Sequence, residues 1–98
     1  MKYSNVVKFK IKESDYDSVV EKLSQPMNFD GLLYSFVIKT GKNTCCSVGI
    51  WESESHVINA RPEMITFLDS IRDGLEVLSE ELGVTDPVSG PIFYEYNA

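Results

Sequence analysis

The sequence is short of the residues that bind metals and form disulfides. Its 98 residues contain two cysteines and one histidine. Cys45 and Cys46 are adjacent, and because neighbouring side chains on a strand point to opposite faces, a disulfide between them would be strained. The lack of a Cys-x-x-Cys pair or a Cys/His cluster excludes structural zinc. We expect two small buried thiols in a reducing compartment, with a reactive thiol as the alternative.

Long hydrophobic runs are also missing. The longest uncharged apolar run, residues 32–38, is far below the roughly 18 residues that a membrane span needs. Lys2 follows Met1 directly, and strand-like sequence comes next instead of the apolar stretch of a signal peptide. We therefore expect no membrane association and a cytoplasmic location.

Positive charge is scarce, above all in the second half. The chain has 9 Lys and Arg against 15 Asp and Glu, a net charge of −6. Only two basic residues, Arg61 and Arg72, lie beyond residue 50. Because an acidic surface repels phosphate backbones, no nucleic-acid partner is expected.

Several catalytic patterns are absent as well. The sequence has no Ser/His/Asp set, no paired carboxylates and no glycine-rich phosphate loop, so hydrolase, glycosidase and nucleotide-binding functions lack support. Its length and its 43% hydrophobic content predict one domain, residues 1–98, with one modest core.

The spacing of hydrophobic residues predicts the helices and strands. Period two predicts strands over 3–12, 32–40, 44–52 and 92–96. A first helix is predicted from a Ser14 cap to Pro26, with a buried stripe of Tyr16, Val19, Val20 and Leu23. Ser53 is the predicted N-cap of a short helical piece to about residue 59. Pro62 is predicted to begin a longer helix that Gly83 ends, with 84–91 as a loop. Its predicted buried stripe consists of Met64, Leu68, Ile71, Leu75, Leu78 and Leu82.

The order β-α-β-β-α-β is the ferredoxin-like plan, an α+β fold with a four-stranded antiparallel sheet. Two helices cover only one face of such a sheet. Residues 32–40 are apolar on both faces, so the second face requires a partner. A symmetric homodimer that packs two sheets into a barrel would supply it.

The stretch Trp51-Glu52-Ser53, where a strand enters a helix, resembles the antibiotic biosynthesis monooxygenase domain family. The layout is similar over nearly the whole chain. The resemblance implies a homodimeric α+β barrel with a cavity between sheet and helices. It also implies oxidation of phenols or quinols by O₂ with no metal or flavin, so we expect no cofactor. The segment 81–91 looks like a loop specific to the family.

Related haem-degrading proteins carry an asparagine on the first strand, a tryptophan at this turn and a histidine on the following helix. Asn5 and Trp51 match the first two. The histidine is expected about ten residues after the tryptophan, where this chain has Arg61, whereas His56 lies only five residues on. The resemblance therefore does not extend to a haem ligand.

Six residues are candidates for a site, each with a structural alternative. Trp51 could stack on an aromatic substrate or simply close the core. Asn5 could orient a ligand oxygen or lie at an exposed strand end. His56 could act as a base or be a surface histidine. Arg61 could bind an anionic substrate or form surface ion pairs. Tyr34 and Tyr94 could donate hydrogen bonds into the cavity or pack at an interface.

Two functions remain open on these grounds. The first is a cofactor-independent monooxygenase that acts on a small aromatic or quinol-type compound, with Asn5, Trp51 and His56 as catalytic residues and Tyr34, Arg61 and Tyr94 binding substrate. The second is a non-catalytic homodimeric barrel that binds a small apolar molecule or has a structural role. Convergent polar groups in the cavity favour the first, and a filled core favours the second.

Overall fold

Four strands and two helices follow one another in the predicted order. The structure, a computed structural model, describes residues Met1–Ala98. The elements are β1 (Tyr3–Lys10), α1 (Tyr16–Leu23), β2 (Leu32–Lys39), β3 (Thr44–Trp51), α2 (Glu54–Ile71) and β4 (Thr85–Pro91). Short 3-10 turns precede α1 at Glu13–Asp15 and follow α2 at Arg72–Gly74.

The sheet has the order β2-β3-β1-β4, and every neighbouring pair is antiparallel. β1 therefore lies between β3 and β4, and Asn5 of β1 is opposite Gly49 of β3. Both helices lie on one face of the sheet. The ferredoxin-like fold predicted from the sequence is confirmed.

The core between sheet and helices consists of two separate clusters. The larger cluster is built around Phe9 of β1 and Ile11, which directly follows that strand. The smaller is built around Trp51, Val57 and Ala60. Only 13 of 98 residues are buried, and no charged or polar side chain is among them. The two clusters flank the space in which a cavity forms.

The opposite face of the sheet is uncovered. Period two places Tyr34, Phe36 and Ile38 of β2 on this face, together with Val88 of β4. Their exposed fractions are 64%, 39%, 47% and 61%. The sequence of β2 predicts that both of its faces are covered, but no other part of this chain packs on the open face.

The first helix is shorter than predicted. It begins at Tyr16, after the 3-10 turn, and ends at Leu23, three residues before Pro26. The predicted Ser14 cap is wrong, because the Ser14 hydroxyl donates to the Asp15 carboxylate and caps no helical N–H. Val19 is buried, and the rest of the predicted stripe packs half-buried against the larger cluster.

The second helix is continuous where two pieces were predicted. Ser53 is its N-cap and accepts from the backbone N–H of His56, as expected. Pro62 lies inside the helix instead of beginning it. Val57 and Ala60 before the proline and Met64 after it pack in the same cluster, so both halves bury one stripe despite the missing hydrogen bond.

This helix also ends earlier than predicted, at Ile71 instead of near Gly83. Gly74 is buried, and a Cβ there would lie 2.6 Å from Val19. Leu75 has extended backbone and forms a bridge with Ile11. It is buried, as the helical stripe predicted, but Leu78 and Leu82 are exposed. The sequence analysis did not recognise Gly74 as a position where the chain packs closely against Val19 just after the helix ends.

The last strand is displaced from its predicted position. Residues 84–91, within the segment 81–91 that resembled a loop of the family, were expected to form a loop, yet Thr85–Pro91 pairs with β1 as an edge strand. Prolines are tolerated there because one side of an edge strand needs no partner. Residues 92–96, predicted as the strand, have no regular structure. Phe93 is 94% exposed, and Glu95 pairs with Lys2 at 3.1 Å.

The two cysteines are buried and free, as expected. Burial raises the pKa of the Cys45 thiol, and the nearby Lys39 ammonium opposes this only in part. The thiol is therefore protonated near neutral pH, which disfavours nucleophilic reactivity. No helix of the protein is both long enough and apolar enough to span a membrane.

Candidate functional site

A cavity of about 430 Å³ lies between the sheet and the two helices. It separates the two core clusters and touches both, because Phe9 and Leu75 line one end and Trp51 and Met64 line the other. Of its 24 lining residues, 16 are hydrophobic. This volume lies within the range typical of small-molecule sites. The cavity has room for a compact apolar ligand.

Asn5 and Trp51 meet inside this cavity. The indole Nε1 of Trp51 donates to Oδ1 of Asn5 at a distance of 2.7 Å. β1 and β3 position the pair, since Asn5 lies two residues from the Tyr3–Trp51 register pair and both side chains point to the helix face. The structure thus brings together two of the residues predicted for the site.

Gly49 provides the space for this hydrogen bond. A Cβ at position 49 would lie 2.5 Å from Oδ1 of Asn5 and 2.8 Å from Nε1 of Trp51. The space that Gly49 leaves beside Trp51 is therefore filled by the Asn5 amide.

The Trp51 side chain is fixed by an aromatic contact as well as by its hydrogen bond to Asn5. Its ring stacks on Phe29 with centroids 6.0 Å apart and an interplanar angle of 24°. Only 1% of the residue is exposed. One ring face and the N–H are therefore already engaged, and Trp51 combines the core role and the cavity-lining role that the sequence left open.

Arg61 lines the same cavity from α2. It is the only charged residue in the lining and forms no salt bridge, whereas Arg72 pairs with Asp69 at 3.0 Å. The surface ion pair considered as an alternative for Arg61 is not formed within this chain.

His56 lies outside the cavity lining, at the start of α2. Its Nδ1 is 2.7 Å from the Ser53 hydroxyl, and its Nε2 is 3.5 Å from the Glu52 carboxylate. Its ring also packs against Gly31, whose φ of +84° only glycine adopts readily. These contacts fasten the loop before β2 to the helix start.

The two tyrosines are also away from the cavity. Tyr34 points to the open face of the sheet, where its ring lies 5.5 Å from that of Phe36. Tyr94 belongs to the exposed segment 92–96, with 73% of its surface accessible. Within one chain, the structure therefore separates these residues and His56 from Asn5, Trp51 and Arg61.

Sequence reasoning missed several polar residues of the lining, namely Gln25, Ser35, Ser47 and Thr85. Ser47 could have been found, because it lies between Cys45 and Gly49 on the inward-facing positions of β3. Ser35 depends on the bulge at the start of β2, which no residue pattern indicated. No three His, Cys, Asp or Glu side chains lie together as a metal site requires.

Solved structures share this fold over almost their whole length. A candidate antibiotic biosynthesis monooxygenase from Chloroflexus aurantiacus J-10-fl superposes with a TM-score of 0.75 at 11% identity, covering 99% of this chain and 98% of that one. The chain has the fold of the antibiotic biosynthesis monooxygenase structures. The resemblance inferred from the sequence is thereby confirmed at the level of the fold.

Two further structures extend the comparison. SnoaB, a cofactor-independent oxygenase from Streptomyces nogalater, matches with a TM-score of 0.66 at 12% identity, covering 96% of this chain and 95% of that one. A dimeric ferredoxin-like protein from an uncultured marine organism matches with a TM-score of 0.73 at 12% identity, covering 99% and 92%. No family model matches the sequence. A search of the curated proteins found no match either.

Proposed function

We propose that the protein is a cofactor-independent monooxygenase of the antibiotic biosynthesis monooxygenase type, acting on a small aromatic or quinol-type compound. The observation that carries the proposal is the Asn5–Trp51 hydrogen bond, a fixed polar pair in a cavity with mostly hydrophobic walls. Such a pair among hydrophobic walls is the usual arrangement of a small-molecule site. The shared fold with monooxygenase structures supports the same conclusion.

In this proposal the substrate supplies the electrons that reduce O₂, and the protein binds and orients it. The hydrophobic walls contact the aromatic body and shield part of it from water. The Asn5 amide donates to a carbonyl or phenolate oxygen. Trp51 is a positioning residue, since its N–H fixes the amide and its ring forms part of the wall. His56 has no part in this mechanism, because it lies outside the cavity lining.

We further propose that the protein is a homodimer formed through the open face of the sheet. Its exposed aromatic and aliphatic side chains form a contiguous patch of the kind that marks an interface. The similarity to a dimeric ferredoxin-like protein supports this proposal. In such a dimer Tyr34 becomes an interface residue. The free buried thiols agree with the reducing cytoplasm that we expect as its location.

A second candidate function, a non-catalytic barrel that binds a small apolar molecule, has one observation in its favour. Trp51 is almost fully buried and stacks on Phe29, so its ring is held as a core residue would be. In that case the cavity would bind ligand without turnover.

Oxygen uptake distinguishes the two functions. We expect the protein to consume O₂ with one or more members of a panel of hydroxynaphthoquinones and anthrones. Asn5→Ala should lower the rate by about tenfold or more, the loss expected for one transition-state hydrogen bond. Trp51→Phe, which removes the N–H but keeps a ring, should also lower it.

Asn59→Ala is the matched control, because Asn59 is an exposed amide of α2 outside the cavity lining. Its rate should equal that of the wild type. Uptake that survives both site substitutions would exclude the assigned site, and no uptake with any member of the panel would favour the non-catalytic barrel.

A further inference from the structure

The Asn5–Trp51 pair presents a hydrogen-bond donor to the cavity. An indole N–H can only donate, so the bond from Trp51 requires the oxygen of the Asn5 amide to face it. The Nδ2 group of Asn5 is thereby fixed on the other side of the amide, where it donates to no protein group and is not among the buried atoms that lack a partner, so it is free to meet a ligand. Gly49 is what permits this arrangement. A ligand that meets Asn5 must therefore present an acceptor atom.

Arg61 adds a positive charge to the same cavity. Its guanidinium has no carboxylate partner, although the chain carries 15 acidic residues. None of these 15 residues lines the cavity. Arg61 is itself exposed, so its guanidinium acts from the open side of the cavity, where the effective dielectric constant near a protein surface is still below that of bulk water.

We propose that the cavity selects the anionic form of its ligand. The ligand would be an apolar, ring-containing compound with an ionised oxygen, as a phenolate, enolate or carboxylate, held by Arg61, and an acceptor oxygen held by the Asn5 amide. This inference rests on the proposed function in taking the cavity as the substrate site, and it adds the charge state of the substrate.

The test compares two probes that differ in charge and little in shape. 2-Hydroxy-1,4-naphthoquinone is an anion at neutral pH, and 2-methoxy-1,4-naphthoquinone is neutral. Their binding is measured without O₂, by calorimetry and by quenching of the single tryptophan, Trp51, which lines the cavity. 1-Naphthoate and 1-naphthamide form a second pair of the same design.

We expect the wild-type protein to bind each anion about tenfold or more tightly than its neutral partner, the ratio typical of one charge-assisted hydrogen bond. Arg61→Leu should abolish the preference while leaving the affinity for the neutral probe within about twofold. Arg61→Lys should retain part of it, because the charge remains. Arg72→Leu is the matched control and should keep the full ratio, since Arg72 lies outside the cavity lining.

Equal binding of anion and neutral probe by the wild type overturns the proposal. So does a preference that survives in Arg61→Leu, or failure of both anions to bind. Circular dichroism checks that the Arg61 variants, altered at an exposed position, remain folded. Anion preference without O₂ uptake would reject the oxygenase function and keep the proposal of an anionic ligand. O₂ uptake without anion preference would keep the oxygenase function and reject the anionic ligand.

Discussion

At the scale of single residues, position 49 determines whether Asn5 and Trp51 can form their hydrogen bond. We predict that Gly49→Ala breaks it, because the added methyl group would overlap both bonded atoms. Loss of a partly buried hydrogen bond together with crowding should lower the free energy of unfolding by about 1–3 kcal/mol. Urea unfolding measures this change, and a shift in Trp51 emission reports the altered surroundings of the indole.

Gly90→Ala is the control, because it makes the same substitution at another strand position of the same sheet. Gly90 also lies in a strand, β4, but a Cβ there would meet nothing within 4 Å. Its substitution should leave the Trp51 emission unchanged and the stability within about 1 kcal/mol of the wild type, the range of glycine-to-alanine changes in open positions. Equal effects at positions 49 and 90 would contradict the steric argument.

The candidate site was only partly predictable from residue patterns. Alternation along β1 and β3 places Asn5 and Trp51 on one face, which is a local property of the sequence. Their direct contact depends on strand register, and the position of Arg61 over the cavity depends on how α2 crosses the sheet. His56 was a plausible base by its chemistry alone. Its hydrogen bonds to its own turn became visible only in the structure.

At the scale of elements, Pro62 lies nine residues into α2 and removes one backbone hydrogen bond. We predict that Pro62→Ala raises the free energy of unfolding by about 1–2 kcal/mol. This is less than the roughly 3 kcal/mol cost of an interior proline, because proline also restricts the unfolded chain. Urea unfolding with detection by circular dichroism measures it.

Pro26→Ala is the control, because it should lower the free energy of unfolding where Pro62→Ala raises it. Pro26 is exposed and lies beyond the end of α1, where proline interrupts no helix. Its replacement should lower stability by about 0.4–1 kcal/mol, since only the unfolded chain gains freedom. A decrease in stability for both variants would show that Pro62 is needed for the packing of α2.

Element boundaries were predicted well where local signals agreed with packing, and wrongly where packing overrode them. The Ser53 cap was predicted correctly, because its hydroxyl acts within one turn. Pro62 was predicted to begin a helix and residues 84–91 to form a loop, although buried neighbours in α2 and the edge position of β4 accommodate these prolines. Leu75 fitted the helical period by coincidence, because its side chain is buried in the larger core cluster from an extended backbone that forms a bridge with Ile11.

At the scale of the whole molecule, the open sheet face is the main feature that a single chain leaves unexplained. β2 is an edge strand whose residues beyond Leu32 are all exposed. Long apolar edges promote unwanted association unless something covers them. The sequence predicted this surface from the two-sided apolar pattern of residues 32–40, but it could not show which residues would remain uncovered.

A homodimer through this face predicts a mass near twice 11.1 kDa by light scattering on a sizing column. We predict that Val88→Lys, on the open face, shifts the protein to monomer, because symmetry buries two unpaired ammonium groups in an apolar interface. The shift should weaken association by about a hundredfold or more, as expected when uncompensated charges are desolvated. Dilution series on the same column measure it.

Val77→Lys is the matched control, the same substitution at an exposed valine that belongs to no strand. It should leave the mass unchanged. A wild-type monomer would mean that the open face is tolerated in water and that dimerisation is not what completes the fold. A dimer that persists in Val88→Lys would place the interface elsewhere, for which the exposed segment 92–96 is then the surface to substitute next.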